Sequence, residues 1–393
     1  MKEREREALL GAVEREDILK LTQELVAIPS PNPPGKEKEV ALYLADLFRE
    51  MGLKVEMKEV YPDRPNVIAV WDSGRPGPTV ILNGHMDVIP PGDGWTMEPY
   101  SGKIVDGRLY GRGSTDMKGG LAVMIMALKT VMSSGLEVAG RVMVTAVIGE
   151  EADQAGTRRL VEEGIEADYA IITEPTELKP VIAHKGNLYY RITTVGKAAH
   201  GSVPHLGVNA IEKMCTVIRG LHEVGEGLTK KRSHPLLGHP TLSVGTIQGG
   251  LETCVVPSRC TITVDRRVIP GEPVEEADEE LEELLDRLRG SDPQLHVELS
   301  RFLTAPAMEI SPQEKVVISV RRAIEAVTGK DPGFHGLSGT CDANYLVNVA
   351  GIPTVIFGPG SVSLAHQPDE YVEIEELVEA TQILALALFD LLG

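Results

Sequence analysis

A chain of 393 residues is too long for one small core, and its 42% hydrophobic and 25% charged residues match an ordinary globular protein of about two domains. A formal charge of −19 argues against nucleic acid or an anionic membrane surface as partner, since both need a basic face. The four cysteines, Cys215, Cys254, Cys260 and Cys341, form no C-x-x-C pair and read as reduced thiols, and no segment approaches the ~18 uninterrupted apolar residues of a membrane span.

The opening, MKEREREALLGAVERED, is charged and lacks the apolar core of a secretion signal, so a cytoplasmic location is expected. DILKLTQELVAI has helical spacing behind an Asp, which predicts a helix over 17–28. PSPNPPG must be a loop, because each Pro disfavours helix in the residue before it. KEKEVALYLADLFREMG is a second amphipathic helix closed by a glycine. KVEMKEV, NVIAVW and TVILNG, bounded by Gly, Pro and Asp, predict strands. DMKGGLAVMIMALKTVMSSG follows as a helix with Asp116 at its start. RVMVTAVIGEE is a buried strand, GTRRLVEEG a short helix and ADYAIITEP another buried strand. Apolar strands alternating with helices predict an α/β domain with a mainly parallel sheet covered on both faces.

The texture changes near residue 185. GNLYYRITTVG, TLSVGTIQGG, RCTITVDRRVIPG and QLHVELSRFL alternate like strands with one solvated face. GVNAIEKMCTVIRGLHEVG and VEEADEELEELLDRLRG are the helices between them. The expected architecture is a discontinuous catalytic domain, 1–184 and 301–393. An α+β domain at 185–300, with a four-stranded antiparallel sheet and two helices, is inserted into it. VIAHKG and SRFLTAP are the expected hinges. A helix at EKVVISVRRAIEAVTG, a strand at PTVIFG and a final helix complete the chain.

Several acidic and imidazole groups fall just past buried strands. His85 and Asp87 follow TVILNG, Glu150 and Glu151 follow RVMVTAVIG, Glu174 follows YAIIT, and His366 follows TVIFG after a Gly-rich loop. Asp116 begins a helix after GRGST. In an open parallel sheet the carboxyl ends of the strands are where ligands bind, so these residues can converge. Two His with several carboxylates suit zinc or another first-row divalent ion. Adjacent carboxylates repel unless a cation or proton separates them. Taken singly, each has an ordinary reading. His85 and His366 would be surface or turn residues, Asp116 a helix N-cap, Glu150–Glu151 a solvated loop, and Glu174 a turn residue before Pro175.

GHMDVIP, GRLYGRGSTDMKGGLA, GEE, ITEPTELKPVIAHKG, GKAAHGSVPHLGVNAI, VDRRVIPGE and AHQPDEYVEIEEL, in that order, resemble the co-catalytic zinc amidohydrolases. That family includes acetylornithine deacetylase, succinyl-diaminopimelate desuccinylase, aminoacylase and glutamate carboxypeptidase. The resemblance runs from about residue 18 to the C-terminus. It implies two divalent ions per subunit, zinc first, with cobalt or manganese as alternatives. His85 and Glu174 would hold one, Glu151 and His366 the other, and Asp116 would bridge them. Asp87 would orient the His85 ring through its other nitrogen. Glu150 would be general base and acid in hydrolysis of an N-acyl amino acid by a hydroxide between the metals.

The resemblance further implies a homodimer through the inserted domain, with His200 as an oxyanion donor to the neighbouring subunit. Arg267 would grip a substrate carboxylate, and Gly339 and Thr340 would line the substrate pocket. Arg266 should face the other side of its strand. One departure bears on substrate: Cys254 stands in GGLETCVVP where the family often has Asn, and a thiol replaces a carboxamide poorly. Cys341, without an evident His partner, reads as a small buried residue. The same metal centre would serve an exopeptidase or dipeptidase acting on short peptides. A non-catalytic scaffold of this fold would be expected to lack ligands or the base.

Overall fold

The computed structural model of the protein describes residues 3–393 and divides the chain into two units. The first takes the chain up to Ile182, then Ile310–His335 and Cys341–Gly393; the second is Ala183–Glu309 with Gly336–Thr340. Among the described residues no helix is long and apolar enough to cross a membrane.

The first unit begins with α1 (Glu3–Gly11), α2 (Arg15–Ala27) and α3 (Lys38–Glu50). Strands β1 (Lys54–Tyr61), β2 (Arg64–Asp72) and β3 (Thr79–His85) follow, then the short β4 (Lys103–Val105) and β5 (Arg108–Tyr110). Next come α4 (Lys118–Ser133), β6 (Arg141–Val147), α5 (Ala155–Glu162), β7 (Tyr169–Ile172) and β8 (Val181–His184), within which the chain leaves the unit. The predicted helices and strands are present. α1 is an addition, and Leu9 is its one buried residue, so it offers no apolar stripe to read. The expected hinge VIAHKG contains strand β8.

The second unit holds β9 (Gly186–Val195), α6 (Ala210–Lys231), β10 (Thr241–Gly249), β11 (Arg259–Val268), α7 (Val274–Ser291), β12 (His296–Ala305) and β13 (Met308–Glu309). Its sheet order is β10-β11-β9-β12, every pair antiparallel. α6 is capped by Asn209, whose side chain accepts from the N–H groups of Ile211 and Glu212. One face of the sheet, with Leu188, Ile192, Ile262 and Val264, joins Met214, Leu221, Leu281 and Leu285 of the two helices in a core. The insertion is longer than the expected 185–300. β12 stays paired with β9 as far as Ala305, through a bulge at Arg301/Leu303, so SRFLTAP is largely strand.

The chain then gives α8 (Lys315–Thr328), β14 (His335–Leu337), α9 (Ala343–Asn348), β15 (Thr354–Ile356), β16 (Tyr371–Glu373) and α10 (Ile374–Leu392). The large sheet runs β1-β2-β6-β3-β7-β15-β8. It is parallel where β6, β3, β7 and β15 meet, and antiparallel at its margins. Ile81 and Leu82, which point to opposite faces, are both fully buried, as the apolar run requires of a sheet covered on two sides. α4 is buried almost all round, which marks a core helix. Its glycines let it press against the sheet edge: a Cβ at Gly120 would stand 1.9 Å from the carbonyl oxygen of Thr173, and one at Gly119 2.3 Å from that of Ser114.

Candidate metal centre

The parallel registry brings the site together. His85 is the last residue of β3 and lies opposite Val147, the last of β6; Asn83 lies opposite Ile172, the last of β7. Glu150, Glu151 and Glu174 therefore leave the sheet at the edge where His85 ends. Asn83 is buried between the strands and donates to Thr145 at 3.0 Å. Asp116 does not cap α4, which starts at Lys118 with Met117 in the cap position and no side-chain cap. Its carboxylate lies between the two imidazoles instead.

His85 Nε2 lies 3.1 Å from Asp116 Oδ1 and 3.6 Å from Glu174 Oε1. His366 Nε2 lies 3.4 Å from Asp116 Oδ2 and 3.0 Å from Glu151 Oε2. Each triad offers three ligand atoms within 4.8 Å of one another, and Asp116 belongs to both. Glu150 is close but in neither triad, with Oε2 3.9 Å from His85 Nε2.

The ring of His85 is oriented by main chain. Its Nδ1 is 2.9 Å from the carbonyl oxygen of Asp87 and 3.7 Å from that residue's carboxylate. With Nδ1 donating to that carbonyl, a neutral ring would turn an Nε2 lone pair toward a cation held by the triad. The Asp87 carboxylate has other work: it accepts from the N–H groups of Glu150 and Glu151, at 3.2 and 3.1 Å, and from Asn32 Nδ2 at 2.9 Å. It thereby fixes the turn that carries both glutamates. Asp87 thus meets the other nitrogen of His85 through its carbonyl and the glutamate turn through its carboxylate.

Burial and crowding of like charges shape the titration of the cluster. Burial raises the pKa of Glu150 and Glu174 well above the usual carboxylate range, against the pull of His85, and neighbouring carboxylates add to the rise. Glu151 is raised by burial and by Asp116. Burial lowers the His85 pKa, but Glu174, Asp116 and Glu150 outweigh it and carry the ring well above its ordinary value. Hydrogen bonds to Asp116 and Glu151 lift His366 to about 10. Acids that hold protons and imidazoles that gain them are what a surplus of buried carboxylates produces without cations. Divalent ions of nitrogen/oxygen preference would take the place of those protons, so the donor set fits them.

Some residues here are absent from the expected set. Gln154 sits in the left-handed region, at φ 53°, with Nε2 3.5 Å from Glu150 Oε1. Asn344 donates to its amide oxygen at 3.2 Å. Asp342 is fully enclosed, accepts from Thr157 Oγ1 at 2.7 Å, and is pushed up to about 7 by burial. Glu370 and Arg112 form a buried ion pair beside Asp116. Glu370 stands in the quoted AHQPDEY stretch, but nothing in its spacing separates it from a surface glutamate.

The other four candidates belong to the second unit. His200 is exposed, its Nδ1 2.7 Å from Ser202 Oγ. Arg267 lies on the open face of β11, ion-paired with Asp265 at 2.8 Å and hydrogen-bonded to Asn187. Arg266 faces the other way, is 1% exposed, and pairs with Glu272 and Glu280. Thr340 Oγ1 is 2.6 Å from the Lys185 carbonyl and 2.7 Å from Asn187 Oδ1; Gly339 is partly exposed beside it. Cys254 is exposed, and Cys341 is buried with its thiol pKa pushed well up by burial.

Known proteins share this sequence and fold over nearly the whole chain. The chain is 30% identical to the N-formyl-4-amino-5-aminomethyl-2-methylpyrimidine deformylase of Halalkalibacterium halodurans, over 98% of this chain and 97% of that protein. It is 32% identical to the acetylornithine deacetylase of Vibrio cholerae, over 90% and 91%. The crystal structure of the aminopeptidase PepT from Bacillus cereus superposes with a TM-score of 0.79, at 24% identity, over 97% of this chain and 100% of that one. The sequence model of "Peptidase family M20/M25/M40" matches residues 81–390, a span that includes every candidate ligand from His85 to His366. The chain belongs to the M20/M25/M40 peptidase family and is a hydrolase of that family.

Proposed function

We propose that the protein hydrolyses the amide bond of a small N-acylated amine, an N-acyl amino acid first, using two divalent cations. The sharing of Asp116 between two three-residue groups carries this reading. His85, Asp116 and Glu174 would hold one ion, and Asp116, Glu151 and His366 the other. Zinc suits the donors best, with cobalt or manganese next. When bound, the pair supplies Lewis acidity toward the amide carbonyl and lowers the pKa of water at the site.

The protein's own groups do the rest. Asp87 fixes the backbone of Glu150 and Glu151. Glu150 takes a proton from the attacking water and delivers it to the leaving nitrogen as the C–N bond breaks. Arg267 would bind a substrate carboxylate, with Thr340 and Gly339 beside it, and His200 would donate to the oxyanion of a neighbouring subunit in a homodimer formed through the inserted unit. A cytoplasmic location belongs to the same proposal. The two sequence relatives are named for removing acyl groups from amines, which favours deacylation over the dipeptidase reading.

The test is metal analysis paired with turnover of N-formyl, N-acetyl and N-succinyl amines, other N-acyl amino acids and dipeptides. Two ions per chain, loss of activity on chelation and recovery with zinc or cobalt are expected. Turnover surviving exhaustive chelation would overturn the metal mechanism. Cleavage of dipeptides alone would establish the exopeptidase, and no turnover with metal restored would leave a scaffold.

A further inference from the structure

We infer that Glu370, paired with Arg112, is a positioning residue that keeps Asp116 and His366 in register for the second cation. This rests on the metal reading above. The two groups of ligands are held differently. His85 ends a buried strand and Glu174 follows another, so hydrogen-bonded sheet fixes both. Asp116 and His366 stand on loops. His366 also has a left-handed backbone, at φ 66°, as does Asp369 at φ 54°. A non-glycine residue stays there only when its surroundings hold it.

One carboxylate, close after His366 in the chain, gathers the bonds of the loop that bears Asp116. Glu370 Oε1 accepts from the N–H groups of Gly113, Thr115 and Asp116, each at 3.0 Å. Its Oε2 takes the Arg112 guanidinium, and its main-chain carbonyl accepts from Gly111 N–H at 2.8 Å. Both side chains are buried, 0% and 1% exposed. Thr115 Oγ1 donates to the next carbonyl, that of Tyr371. The loop bearing Asp116 is thus bonded to the segment just after His366.

A third loop joins at the same point. Arg112 donates to the Pro91 carbonyl at 3.3 Å, and its guanidinium lies 5.2 Å from the centre of the Trp95 ring. Asp369 accepts from Thr96 N–H at 2.9 Å and Thr96 Oγ1 at 2.8 Å. The loop after His85 and Asp87, the loop before Asp116 and the loop after His366 therefore share one ionic and hydrogen-bonded joint. It acts through Asp116 and His366.

The experiment is zinc and cobalt(II) binding to metal-stripped protein, by calorimetry and by the visible spectrum of cobalt, with stoichiometry as the readout. Glu370→Gln keeps the shape and removes the charge. Because it leaves Arg112 unpaired in the interior, the Arg112→Met/Glu370→Gln double variant is measured beside it. Folded variants are expected to bind the ion of Glu151 and His366 about ten-fold or more weakly and to lose less affinity for the other, which shares only Asp116 with it. Adding His366→Ala to Glu370→Gln should cost the weaker ion little beyond His366→Ala alone, since both act on one ligand pair.

Wild-type protein that takes up fewer than two ions would overturn the metal reading and this inference with it. Wild type with two ions, and folded variants that hold both unchanged, would overturn this inference alone. Amide exchange on metal-stripped wild type needs no variant to fold. Slow exchange at Gly113, Thr115 and Asp116 is expected from the joint, and exchange at the rate of an open loop would overturn it.

Discussion

The two large sheets solve burial in opposite ways. In the first unit, neighbours along a strand such as Ile81 and Leu82 are both buried, because helices cover both faces. In the second, Ile262 is buried and Thr263 beside it is not, because α6 and α7 cover one face only. The difference decides where chemistry can sit. A sheet closed on both faces has only its strand ends free, and there His85, Glu150, Glu151 and Glu174 gather. A half-covered sheet keeps one face open, and Arg267, Asp265 and Asn187 form a bonded group on it.

The sharpest break of this contrast is at the strand ends. Glu150→Ala should fold, keep its metal and lose about 10³-fold in kcat, as the loss of a general base and acid does. Thr263→Ala, on the open face, should leave kcat near that of wild type. Steady-state rates with metal content alongside decide it, and Glu150→Ala at the wild-type rate would remove that residue from the role.

Core truncations come next. Ile81→Ala and Leu82→Ala should each cost about 2–5 kcal/mol, since neither points to solvent. Ile262→Ala should cost a similar amount. Urea unfolding measures all three; a near-neutral Ile81 or Leu82 variant would show that one face of the parallel sheet is not sealed.

Acid should expose a third difference. His184, in the strand that enters the second unit, is fully buried, and burial pulls its pKa down to about 4 from 6.5. Among the described residues its Nε2 has no hydrogen-bond partner. The unfolded chain takes up this proton first, so stability is complete above about pH 6.5 and drains as pH falls toward 4, by about 3 kcal/mol. His184→Gln should flatten that part of the curve. Parallel curves for the two proteins over that range would remove His184 as the cause. The smallest effect is on stability at Thr263→Ala, within about 0.5 kcal/mol. Set against Ile262→Ala, it measures the one-sidedness of the inserted sheet.

Legibility followed the length of each pattern. α2, α3, α4, α6, α7, α8 and α10 are long enough to show an apolar stripe or an unbroken apolar run, and the sequence predicts all seven. β4, β5 and β16 have three residues each and form a small sheet of their own; three residues do not establish a period of two. α9 has six residues, too few for a helical stripe. The limits of the insertion depended on how far β12 stays paired with β9, which is a long-range fact.

The same division runs through the site. Chain order alone put an imidazole or a carboxylate after each apolar run, because a buried parallel strand must end before polar groups can follow. Sequence therefore determined the alternation of strands and helices, the chemical kind of the candidate ligands and the presence of a glutamate pair. Tertiary structure alone decided that Asp116 lies between His85 and His366 rather than capping α4. It also decided that the Asp87 carboxylate holds the glutamate turn, and that Arg112 and Glu370 join loops more than 250 residues apart. The physical reason is that periodicity and strand ends are written in neighbouring residues. A hydrogen bond between distant loops exists only once the sheet has set their separation.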